Sequence, residues 1–122
     1  MNAILIFLGG GLGAVLRHGV NRAALAIWSA GFPAGTIIVN VVGSLVMGIF
    51  IGLFAAHSGI NQSARIFLTT GLLGGFTTFS TFSLDALTLY ERGQVGLALG
   101  YVAASVILSL AAIAVGFFAV RF

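Results

Sequence analysis

The chain has no cysteine and no lysine, a single proline, and two acidic residues in 122 positions. Without thiols there is neither a disulfide framework nor a thiolate metal site. Asp85 and Glu91 are the only acids and His18 and His57 the only histidines, so a metal centre or an acid–base pair has few groups to draw on. Five arginines leave a net charge of +3, but they are scattered singly, too sparse for the basic patch that nucleic acid requires. What the chain has in quantity is apolar surface: 60% of its residues are hydrophobic, 6% are charged, and the mean hydropathy is +1.20. Too little polar surface remains to cover a water-soluble globule of this size, and the bilayer is the expected solvent.

A bilayer core takes about 20 helical residues, and four apolar runs reach that length, at 3–27, 34–56, 64–89 and 95–120. The expected fold is an all-α membrane protein, one four-span domain over residues 1–122. The connectors "SAGFP", "HSGINQS" and "YERGQ" are short polar turns with glycine, and Pro33 in the first suits a helix start, where a missing N–H costs nothing. The first run lacks the short apolar core and small-residue cleavage site of a signal peptide and is expected to stay in the mature chain. If the spans alternate, Arg65 and Arg121 share one face and Arg22 and Arg92 the other, and a tie in arginine sets no orientation. Such a chain is expected to insert both ways and to pair antiparallel with its own copy. Chance balance in a chain with so few charges is the competing explanation.

Small residues recur at small-xxx-small spacing, Gly9, Gly10 and Gly13 in the first span and Gly43, Ser44, Gly48 and Gly52 in the second, so helix backbones can approach closely there. With so little interior of its own, the chain is expected to use those faces for oligomerisation. Three polar features go beyond packing. Asn40 stands within the second span, where an unpartnered amide costs several kcal/mol. Arg17 lies inside the first span and needs a partner or a route to water. Tyr101, Ser105 and Ser109 are four apart, which sets three hydroxyls on one stripe of the fourth helix.

The third span carries "GLLGGFTTFSTFS", residues 71–83. Adjacent Gly74 and Gly75 weaken a helix, and Thr77 and Thr78 are residues that cap a new one, so a break is predicted near mid-membrane. Freed backbone groups at that depth are tolerated only where protein or water satisfies them. Free carbonyls suit a cation such as sodium, and the start of a half-helix suits an anion. Beyond the break, Phe79 and Phe82 are i, i+3 neighbours with Ser80, Thr81 and Ser83 interleaved. An aromatic ring has a positive edge, so phenyl edges turned to a path stabilise an anion without a full charge. Two lipid-facing or core phenylalanines are the plainer reading of the same spacing.

The segments "GGGLGAVLRH", "GTIIVNVVGS" and "GGFTTFSTFS" resemble, in order, three signature segments of the Fluc (CrcB) family of fluoride channels, and the four-span plan extends the resemblance over nearly the whole chain. His18 follows Arg17 where family members often carry an aromatic residue. The resemblance implies passive exit of fluoride across the cytoplasmic membrane of a microbe, through an antiparallel homodimer with two pores. It implies Asn40, Phe79 and Phe82 as pore-lining residues, with Thr36, Ser80, Thr81, Tyr101, Ser105 and Ser109 as a polar track. Arg17 would lie near a pore vestibule. The backbone carbonyls of Gly74 and Thr77, from both copies, would hold a central sodium ion. The chemistry agrees: fluoride is small and tightly hydrated, so a pore must replace its water with donors, and full charges would bind too tightly to conduct. Hydrogen fluoride enters as a neutral acid and ionises inside, so a passive exit suffices.

A proton-coupled small multidrug exporter is the rival from another class, since it too is a four-span, dual-topology dimer. It needs an intramembrane carboxylate, usually in the first span, which here has no acid. Asp85 in the third span is the one candidate, and two turns beyond the break it is equally placed to reach the interface or to pair with an arginine. A packing subunit of a larger complex fits the glycines but not the hydroxyl stripe.

Overall fold

In lipid a backbone must satisfy its own polar groups, and runs of leucine, isoleucine, valine and alanine do so as helices. The computed structural model describes residues 2–28, 31–57 and 59–121, the Arg121 side chain excepted, and its regular elements are helical throughout. Ser29, Ala30 and Ser58 of the connectors, and the Arg121 side chain on which the arginine tie partly rests, lie outside the described residues.

Helices α1 (Asn2–Ile27), α2 (Ala34–Ala56) and α6 (Val95–Arg121) are each long and apolar enough to cross a membrane. The third span is divided. Its first part runs from α3 (Gln62–Ile66) through a π-helical stretch (Phe67–Leu73) into one closing turn, α4 (Gly74–Phe76), and its second part is α5 (Ser80–Glu91). At 1.5 Å per residue these parts measure roughly 22 and 18 Å, so neither crosses a hydrocarbon core of about 30 Å alone.

The ends are set locally. Asn61 caps α3 by accepting the Ala64 N–H at 2.7 Å. Arg65 turns back over the second connector, donates to the Ile60 carbonyl at 3.3 Å and lies 5.0 Å above the Phe54 ring at the end of α2. At the end of α5, Gly93 takes φ +79°, while its N–H bonds Tyr90 and that of Gln94 bonds Leu89, a Schellman closure that favours glycine. Pro33 stands at the N-cap of α2, one residue before the first helical position.

Packing follows the small residues. A Cβ on Gly9 would sit 2.9 Å from the Leu72 nitrogen, and one on Gly13 would collide with the Leu72 carbonyl. Gly75 meets the backbone of Gly10 in the same way, so α1 rests directly on the π-helical stretch and α4. On the other side, Gly48 lies against Ile113 and Phe117, and Gly116 against Leu45 and Ile49, which seats α6 along α2. These glycine faces, expected to serve oligomerisation, are consumed inside one chain: a divided third helix must be held by its neighbours, and backbone-to-backbone contact is the closest hold available.

The break also differs from expectation in its place. Gly74 and Gly75 stay helical, and the unwinding falls at residues 77–79, where Thr77 is extended at φ −83°, ψ 160°. Gly75 is there for its approach to Gly10. The chain leaves the helix at the two threonines, whose side chains offer the backbone other partners.

Candidate functional site

Three residues of unwound backbone inside an apolar protein leave amides and carbonyls to be matched. Asn40 of α2 supplies both halves of that match. Its Nδ2 donates to the Thr78 carbonyl at 3.0 Å, and its Oδ1 accepts the Thr78 N–H at 2.8 Å. Pairing with both groups of one residue fixes the amide's orientation and leaves one Nδ2 proton uncommitted by these two bonds. Thr78 then caps the restart, its Oγ1 accepting the Thr81 N–H at 3.1 Å. Thr77 closes the preceding turn, its Oγ1 and N–H both donating to the Leu73 carbonyl.

These bonds have a consequence for two carbonyls. In an unbroken helix Gly74 C=O would accept from Thr78 N–H, and Thr77 C=O from Thr81 N–H. Both donors are diverted, one to Asn40 and the other to the Thr78 side chain. The Gly74 and Thr77 carbonyls are thus released at the break. Oxygen ligands of this kind suit a small hard cation.

Beside the break lies a cavity of about 310 Å³ lined by Asn40, Thr77, Thr78, Phe79 and Phe82, with Ser105 and Ser109 of α6 opposite. Ser44 and Met47 of α2 complete part of its wall. The Phe79 and Phe82 rings are tilted at 54° with centroids 5.6 Å apart. Phe82 is buried, whereas Phe79 is 78% exposed in the single chain. The Ser105 Oγ is buried at this wall without a hydrogen-bond partner.

A second cavity, about 320 Å³, lies between the end of α1, the start of α2 and α5. Thr36, Thr81, Asp85 and Arg92 line it, with Asn21 of α1. Asp85 is fixed by two hydroxyls that converge on its Oδ2, Thr36 at 2.7 Å and Tyr101 at 3.0 Å. Tyr101 belongs to the core with Phe82, Leu89 and Ala98, its ring 5.4 Å from that of Phe82 and edge-on to Phe32 at 6.0 Å.

The residues singled out in the sequence therefore fall into groups. Asn40, Phe79, Phe82, Ser105 and Ser109 meet in the first cavity, and Thr36 and Thr81 in the second, with Tyr101 buried against Phe82 on one side and Asp85 on the other. Ser80 is exposed at the first turn of α5, its Oγ 3.5 Å from that of Thr78. Arg17 is half-buried on α1 and lines neither cavity; Asn21, one turn on, lines the second. Sequence reasoning offers Asp85 as a carrier's carboxylate or as a group that reaches the interface or pairs with an arginine, and misses its place beside the hydroxyls. The spacing of Thr81, Phe82 and Asp85 puts it on the face that carries the aromatic and hydroxyl residues, and that spacing is the signal for it.

Residues 4–117 match the family described as CrcB-like protein, Camphor Resistance (CrcB). A protein of Methylobacterium sp. (strain 4-46), named fluoride-specific ion channel FluC, is 53% identical over 121 residues, 99% of this chain and 97% of the relative. One of Rhodopseudomonas palustris (strain BisB5) with the same name is 52% identical over 121 residues, 99% and 98% of the two chains. Another so named, from Cereibacter sphaeroides (strain ATCC 17029 / ATH 2.4.9), is 56% identical over 116 residues, 95% and 91% of the two.

Proposed function

The chain belongs to the CrcB family, and from that premise we propose that it is a fluoride-specific channel through which fluoride leaves a bacterial cell passively across the cytoplasmic membrane. The observation that carries the reading is the first cavity, where the Asn40 amide, the Phe79 and Phe82 rings and the Ser105 and Ser109 hydroxyls meet at a break in a membrane helix. Among the described residues, none in that lining carries a formal charge. A small anion losing its water there is met by weak, graded donors: one amide proton, hydroxyl protons and ring edges, which bind it without trapping it. The track would continue through Tyr101, Thr36, Thr81 and Ser80, with Arg17 attracting anions to a vestibule.

The working unit in this reading is an antiparallel homodimer with two pores. The exposed Phe79 ring, at the edge of a polar cavity, offers a face that a second copy can cover. The carbonyls released at Gly74 and Thr77 fit a structural sodium ion at the centre of that dimer. Bound there, sodium would neutralise carbonyl dipoles and fix the break; Asn40 and Thr78 hold the same backbone from within each chain.

The test is flux through the purified protein in liposomes loaded with fluoride or chloride. Rapid fluoride efflux without nucleotide or proton gradient, and no comparable chloride efflux, is expected. Vesicles that hold their fluoride, or that exchange protons for a cationic drug, would reject the reading.

A further inference from the structure

Among the described residues the two cavities share no lining, and Tyr101 stands between them, 1% exposed, with its ring on Phe82 of one and its hydroxyl on Asp85 of the other. Thr36, 4% exposed, donates to the same carboxylate oxygen. Each hydroxyl owns one proton. While both protons are given to Asp85, Thr36 and Tyr101 turn only lone pairs toward an approaching anion, and the carboxylate adds its own repulsion. One turn from Tyr101, on the side of the phenylalanine cavity, the Ser105 hydroxyl has no partner. The donors of the stripe are therefore free at Ser105 and committed at Tyr101.

We propose that Asp85 is a specificity-determining residue: it withholds the Thr36 and Tyr101 protons from any anion that cannot compete with a carboxylate as a hydrogen-bond acceptor, and so excludes chloride. The inference rests on the reading of the chain as a fluoride channel. Fluoride is the strongest acceptor among the halides. It can draw both hydroxyls off Asp85 and replace the lost bonds with bonds of similar strength. Chloride, larger and a weaker acceptor, cannot, and each hydrogen bond to a charged group that it fails to replace costs it roughly a factor of ten or more. Selectivity then comes from an opposing interaction built into the path as well as from attraction along it.

Asp85→Asn keeps the shape and an acceptor oxygen but removes the charge. In liposomes, with flux counted per assembled channel, Asp85→Asn is expected to keep fluoride flux within a few-fold and to raise chloride flux by about tenfold or more. Asp85→Glu should restore chloride exclusion. Tyr101→Phe, which removes a donor and leaves the carboxylate, should lower fluoride flux with chloride still excluded; it serves equally if Asp85→Asn fails to assemble. An Asp85→Asn channel that conducts fluoride and still excludes chloride overturns the proposal, as does a chloride leak through Tyr101→Phe. Loss of both fluxes in assembled Asp85→Asn also overturns it, because the carboxylate would then be required for passage. Wild-type vesicles that pass no fluoride would instead reject the channel reading itself.

Discussion

Asn40 meets a structural need and, as a proposed pore donor, a chemical one. Its two bonds to Thr78 satisfy the backbone that the break exposes, and its amide also lines the cavity. Asn40→Ala leaves a donor and an acceptor unmatched inside the protein, a loss of about 1–3 kcal/mol for each. The expected outcome is a lower midpoint of thermal unfolding in detergent together with loss of flux. Asn40→Asp keeps the acceptor for Thr78 N–H but loses the donor, turns a carboxylate oxygen toward the Thr78 carbonyl and buries a charge, and is expected to block flux with a loss of stability at least as large. An Asn40→Ala channel that keeps its flux per folded protein would place Asn40 in structure alone. In the sequence the need is legible, since an amide in a membrane span must have partners, but the partner is not. Thr78 is 38 positions away, and the hydroxyls on Asp85 lie 49 and 16 away, distances that no helical period reports.

At the scale of elements, hydropathy locates the spans because lipid imposes length and polarity on a helix directly. The division of the third span is also legible, from glycines and threonines in one short stretch. Which of them does what is not, because a glycine that loosens a helix and one that admits a neighbour look alike in sequence. The contrast can be measured. Gly75→Ala sets a methyl against the Gly10 backbone and is expected to destabilise the fold by a few kcal/mol, seen as loss of folded protein. A Cβ on Gly74 meets only the Thr69 carbonyl, at 3.7 Å, so Gly74→Ala is expected to leave the fold of one chain intact. If Gly74→Leu nonetheless abolishes flux, the obstruction lies with a second copy or with the sodium ion proposed at the released carbonyls. Thr77→Ser, which keeps the backbone ligand, should be mild. Full activity in Gly74→Leu would argue against any close approach there. The π-helical stretch has no sequence signal; it emerges where 67–73 must follow the glycine face of α1.

For the whole molecule, the arginine tie concerns insertion, and the exposed Phe79 ring concerns what the inserted chains do next. Several lysines added at the C-terminus should lock one orientation. Such a protein expressed alone is expected to lose fluoride flux, and supplying a partner locked the opposite way should restore it. Full flux from one locked form would contradict antiparallel pairing while leaving the cavity itself in question only as to its second wall.

Whether the cavity at the break carries fluoride on ring edges and hydroxyls is read most directly from fluoride efflux from liposomes, per assembled channel, for wild type, Phe79→Ile and Phe82→Ile, which keep apolar volume but lack the ring's positive edge. Rapid efflux is expected from wild type and a strong drop in both variants while assembly persists. Flux per assembled channel near wild type at both positions, with only yield or stability lowered by about 1–3 kcal/mol as for a reshaped core, would return the phenylalanines to packing and contradict a fluoride path along ring edges.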